Sequence, residues 1–226
     1  MRPAAARLRA LVLTAVAVLV AACASRPPPP DWQINARQSI DAAVAAYLDG
    51  NARVEAAETV RARSEISRTG RIDLLARAEL MRCAARVASL VFEPCEGFEK
   101  LRADAAPAER AYADYLAGRV QPQDIPLLPE PHRAVADSRL GAEGAAAALA
   151  AIDDPLSRLI AAGVLFQSNR ASPAALQIAV DTASAQGWRR PLLAWLNVQL
   201  MRAEQAGARD EVDRLRRRIA VVQGGP

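Results

Sequence analysis

The chain has 226 residues, with 29 basic and 25 acidic side chains, a formal net charge of +4 and only 4% aromatic residues. That length allows one substantial domain or two small ones. It contains no Gly-rich phosphate loop, no Ser-x-x-Lys element and no His-Glu-x-x-His zinc helix, so motif-based phosphoryl, acyl-enzyme and metalloprotease readings have no residues to rest on.

At the N-terminus, Arg2, Arg7 and Arg9 precede an apolar run from Leu11 to Ala22. A basic head followed by about a dozen apolar residues reads as a secretory signal, too short to span a bilayer as a helix. The run closes on Val20-Ala21-Ala22-Cys23, which resembles the lipobox of bacterial lipoproteins: an aliphatic residue, two small ones, then the cysteine. That resemblance implies removal of residues 1–22, lipidation of the Cys23 sulfur and acylation of the new amine by a fatty acid such as palmitate. Several acyl chains exceed the two signals that stable anchoring needs. In Gram-negative lipoproteins an aspartate after the cysteine tends to retain the protein at the inner membrane. Ala24 therefore implies the outer membrane, with the body facing the periplasm. The competing reading is an ordinary signal cut near Ala22 or Ala24.

Cleavage also changes the charge argument. Losing three of the 29 basic residues leaves 26 against 25 acidic, a net of +1. The basic pI near 9.4 belongs to the precursor, and with it goes a nucleic-acid reading. Pro27 to Pro30 then form a stiff extended tether, so residues 23–30 comprise the lipidated cysteine and a spacer of roughly 20 Å.

Beyond the tether the chain reads as helical throughout, rich in alanine, leucine and arginine. The spacing predicts helices over Trp32–Leu48, from Asn51 to about Arg68, and from Ile72 to about Val91. Asp49-Gly50-Asn51 makes the first break and Asn51 caps the second helix. Cys83 and Cys95 form an even pair in an exported chain, which favours a disulfide over a metal site or a nucleophile; two thiols that never meet is the alternative. Pro107 opens a short helix ending near Gly118, completing an N-terminal block at 31–118.

Pro122, Pro126, Pro129 and Pro131 mark 119–131 as a surface connector without regular helix, with His132 in a surface loop at its end. The C-terminal block, 132–222, resumes with helices near Arg133 and over Leu140–Ile152. Asp154-Pro155 and Ser172-Pro173 are cap-plus-proline starts. Turns fall at Ser168-Asn169-Arg170 and Ala206-Gly207-Ala208, and 223–226 is a tail. Pro155-Leu156 and Pro191-Leu192 are 36 residues apart, each opening a helix pair. This layout resembles the tetratricopeptide superfamily in architecture, over 31–91 and 154–222, without a complete repeat motif. The expected fold is all-α, with antiparallel helix pairs stacked as a tetratricopeptide-like solenoid or an irregular helical bundle.

Few residues invite chemistry. Arg214 to Arg218 close a helix opened by Asp210, Glu211 and Asp213, which suits the helix dipole better than an anion site. Adjacent Asp153 and Asp154 do not face one another, and Asp154 serves as a cap. Trp188, Arg189 and Arg190 sit at an inter-helix turn, where Trp188 either packs inward or anchors a partner; Trp195 reads as core. The sequence thus points to a non-enzymatic helical adaptor in the cell envelope. It implies no cofactor, no metal site and no small-molecule substrate, and its expected partner is another envelope protein. A structural spacer is the alternative, and an activator of an envelope hydrolase a further one.

Overall fold

A computed structural model describes residues 28–137 and 139–224; the signal segment, Cys23, the tether through Pro27 and the last two residues lie outside that range. The described residues form an all-helical body with no strands. Eleven α-helices follow in order: α1 Asp31–Asp49, α2 Ala52–Ser67, α3 Ile72–Ala88, α4 Glu96–Glu99, α5 Pro107–Leu116, α6 Glu130–Ala136, α7 Ala142–Ala150, α8 Pro155–Gln167, α9 Pro173–Gln186, α10 Arg189–Gln205 and α11 Arg209–Val222. None is long and apolar enough to cross a membrane.

The punctuation follows local chemistry. Gly50 takes a left-handed conformation (φ 87°), letting the Asn51 amide reach back to the Ala46 carbonyl and close α1. The Asn51 side chain then accepts from the Val54 amide at 3.2 Å and opens α2. Asp154 and Ser172 cap α8 and α9 by accepting from the Ser157 and Ala175 amides, each just before a proline. Asn169, between α8 and α9, supplies another left-handed residue (φ 55°); asparagine tolerates that region better than most side chains.

Three expectations are corrected. The third helix stops at Ala88, not near Val91, because Leu90 turns left-handed (φ 60°) and the Leu90 and Val91 amides return to the Val87 and Arg86 carbonyls. The proline segment is not free of helix either. Pro122–Leu127 coils into a 3-10 helix, and α6 starts at Glu130 with Pro131 in its first turn, where a missing amide costs nothing. Helical phase then turns His132 inward, to 2% exposure, instead of leaving it in a surface loop.

α3 occupies the centre, touching α1, α2, α5 and α8. From α8 each helix packs on the next through α11, and α10 returns to contact α1. In an open solenoid each unit touches only its neighbours; here α10 also contacts α1, within an all-helical body compatible with a helical bundle or a solenoid. One apolar core runs from Ala76 of α3 to Ile219 of α11, so the segment between α5 and α6 does not divide two cores.

The tightest approach is between α3 and α8. A Cβ at Gly163 would overlap the Val87 carbonyl. At the next residue of α3, the Ala88 carbonyl accepts the indole N–H of Trp195, fully buried on α10, at 3.1 Å. The Trp195 ring also meets Phe166 edge-on, with centroids 5.8 Å apart. Gly163→Ala is expected to destabilise the fold by about 2 kcal/mol or more, since backbone cannot yield as a side-chain tip does. Chemical denaturation of the two proteins checks this; equal midpoints would refute the close-approach argument.

Candidate functional site

Recesses of different size mark the surface, among them an open one of about 480 Å³ between Asp31, Trp32, Arg68 and Thr69, and size decides what each can hold. Between α1, α2 and α3 a crevice of about 30 Å³ is lined by Ile40, Val44, Tyr47, Ala62 and Ala78. That is room for a couple of waters, not a ligand. It widens past Ile40 and Ala78 into a cleft of about 350 Å³ at the start of α1, lined by Trp32, Ala36, Ile66, Leu74 and Met81. Another recess, about 680 Å³, lies beside Cys83 and Cys95 with Arg82, Arg119, Glu93 and Glu99 on its walls. The last two fall in the range of ligand and side-chain pockets.

The cleft at α1 is the more apolar. Trp32 is the second residue of α1, so the cleft opens at the start of the first helix, just after Pro30. Arg37, Asp41 and Arg77 stand on its rim. Arg37 and Asp41 form a loose exposed pair at 3.7 Å. Arg77 spans to α5, where it reaches the buried Glu109 at 2.6 Å. The floor is helix surface with alanines at Ala36 and Ala78, which keeps it open.

Charged ties fix the walls. α2 buries only Ala62 and Ile66, so it gains little from apolar contact. Arg63 of α2 donates Nε–H to Glu79 of α3 at 2.5 Å, and Arg86 of α3 reaches Glu55 of α2 at 2.9 Å. Burial pushes the Glu79 carboxyl upward, but hydrogen bonding and charge from Arg63, with Arg82 beside it, hold its pKa below the usual range. It therefore stays ionised and paired.

At the inner end Tyr47, 4% exposed, lies under two guanidinium groups: Arg86 of α3 at 4.9 Å and Arg190 of α10 at 4.3 Å from the ring centroid. Burial raises the Tyr47 pKa against the pull of those cations. Its hydroxyl and that of Ser89 are buried without a hydrogen-bond partner among the described residues.

The structure brings two of the three turn residues into this junction. Arg190 donates Nε–H to the Tyr47 carbonyl at 2.7 Å. Trp188 is half-buried and packs against Tyr47's cluster as well as the main core. Arg189 stays exposed and donates to the Gln223 carbonyl at 3.3 Å. Trp188 and Arg190 thus stitch α10 to α1. On α11, Arg214 and Arg216 pair with Glu211 and Glu204, while Val212, Leu215 and Ile219 are buried. Cys83 and Cys95 are bonded, with Cα atoms 5.9 Å apart.

Sequence reasoning passed over Glu79, Arg63, Trp32 and Met81. Only an acidic residue in the middle of the predicted Ile72–Val91 helix could have pointed to Glu79. Among the described residues no three His, Cys, Asp or Glu side chains converge as metal ligands.

His132 is a further buried titratable group. Its Nδ1 lies 3.4 Å from the Tyr115 hydroxyl, and its ring sits 5.0 and 5.6 Å from the Tyr115 and Tyr112 centroids. Burial depresses its pKa to about 4, against a smaller upward pull from Asp154. The unfolded chain, titrating near the ordinary value of about 6.5, then binds the proton first as pH falls. Stability is full above about pH 6.5 and declines toward pH 4, by about 3 kcal/mol in all. Unfolding free energies measured from pH 7 to 4 should show that slope, and His132→Phe should flatten it; an unchanged slope would refute the assignment.

Searches of protein-family models, curated proteins and solved structures yield no match to this chain.

Proposed function

We propose that this protein is a lipid-anchored, non-enzymatic adaptor of the bacterial outer membrane that presents its α1 cleft to another envelope protein in the periplasm. The observation that carries the reading is the position of the cleft. An apolar recess of about 350 Å³, floored by Ile66, Leu74 and Met81, opens beside Trp32, immediately after the tether. Binding surface and anchor thus share one end of the molecule. A recess of this form takes one or two apolar side chains from a partner's helix or extended segment, and Arg37, Asp41 and Arg77 offer polar rim contacts. Holding the cleft near the membrane raises its effective concentration toward partners fixed in the same surface.

Two measurements test the two halves of this reading. Labelled palmitate should enter the wild-type chain in cells and be absent from Cys23→Ser; label in both would refute the anchor. A photo-crosslinker at Trp32 should capture a discrete partner in intact cells, while one at Arg217, on the exposed face of α11, should not. Met81→Arg should cut the Trp32 adduct at least tenfold while shifting the thermal midpoint by only a few degrees. Adducts that survive Met81→Arg would rule out the cleft. General detergent sensitivity on deletion, with no discrete adduct, would favour the structural-spacer reading.

A further inference from the structure

A single carboxylate touches both the disulfide-held segment and the outermost helix of the cleft. Glu79 of α3 is 3% exposed. Its Oε1 accepts from Arg63 of α2 at 2.5 Å. Its Oε2 lies against Gly97 of α4, where any Cβ would overlap the carboxylate, and only distantly meets Arg82, at 3.4 Å. Cys95, the residue that starts α4, is bonded to Cys83, one turn of α3 beyond Glu79, and its sulfur lies 3.7 Å from the Glu79 carbonyl oxygen. Phe98, fully buried under the Arg102 guanidinium, holds the other side of α4. The freedom released by losing the disulfide therefore falls on Cys95 to Gly97, directly on the carboxylate.

We infer that the Cys83–Cys95 disulfide is a redox switch for the cleft. Oxidised, it clamps Gly97 on Glu79, fixes the carboxylate toward Arg63 and seats α2, which supplies Ile66 to the cleft. Reduced, Glu79 gains room to turn into the space above α4, the Arg63 tie lengthens, and α2 keeps its packing along α1 but is held to α3 by little beyond Ala62, Ile66 and the Glu55–Arg86 pair. The reductant is a dithiol. Its thiolate attacks the more exposed Cys95 sulfur, the S–S bond breaks, and Cys83 leaves as a thiolate that takes up a proton. The second thiol of the reductant then displaces Cys95 from the mixed disulfide, leaving two protein thiols and the reductant's own disulfide. A chain still in a reducing compartment would thus carry an unseated cleft, and oxidation after export would complete it. That biological consequence rests on the proposed binding role of the cleft; the switch itself does not.

Hydrogen exchange of the full mature chain in detergent, with and without dithiothreitol, tests the switch. Exchange in residues 52–67 should rise at least tenfold on reduction while α8 to α10 stay protected. A rise confined to 91–99, or one spread uniformly through the body, would overturn the inference. Glu79→Gln and Arg63→Ala should each give fast α2 exchange in the oxidised chain and remove the further rise on reduction; a persisting rise in both would overturn the relay. An α2 response without any Trp32 adduct in cells would sink the binding role and leave the switch standing.

Discussion

The body depends on how α3 ends. Its last turn lies against α8 at a point where only glycine fits, because Gly163 meets the Val87 carbonyl directly. The neighbouring Ala88 carbonyl, which a helix terminus would leave without a partner, accepts from Trp195 of α10. One residue's backbone thus fixes the spacing of two helices and the next residue's backbone fixes a third. With α3 so placed, α1, α2 and α5 pack on its remaining faces, and α10 sits close enough to α1 for Arg190 to lie over Tyr47. An alanine-rich chain supplies thin helices that approach closely, so backbone contacts take a role that larger side chains would otherwise fill.

The two ends of the molecule are held by different forces. Around α8 to α11 the core is continuous and apolar, and the charged side chains of α11 face water over buried Val212, Leu215 and Ile219. Around α1 to α3 the apolar contact is thinner and directional ties matter more: Glu79 with Arg63, Glu55 with Arg86, and guanidinium groups over Tyr47. Ion pairs exposed on one side contribute modestly to stability but fix geometry. The apolar recess at the start of α1 lies in this second region, where shape depends on a few contacts. Low local stability and function commonly coincide for that reason.

Helices were legible because their punctuation is local: Gly50-Asn51, Asp154-Pro155 and Ser172-Pro173 each carry the cap or turn chemistry within three or four residues. The pairing of Cys83 with Cys95 was legible from their even count and the expectation of export. His132 was not, because four prolines nearby suggest a connector, and a proline in the first turn of α6 reads the same way in sequence as one that breaks a helix. Glu79 was harder still. Its partner Arg63 is 16 residues away and its cover Gly97 is 18, and only the packing of three helices makes them one group. The cleft itself has no sequence signature, since Trp32, Ile66 and Met81 belong to three separate helices.

The contacts at the far end of α1 also decide where a label can be placed. Gln223 touches Arg189, the next residue Arg190 holds Tyr47, and Tyr47 is near the C-terminal end of α1. α1 has 19 residues, a rod of about 28 Å. Gln223 therefore sits at the end of α1 away from Trp32. A reporter domain fused after the last residue would ride at the distal end and leave the recess unobstructed. The same domain inserted before Asp31 would crowd the recess.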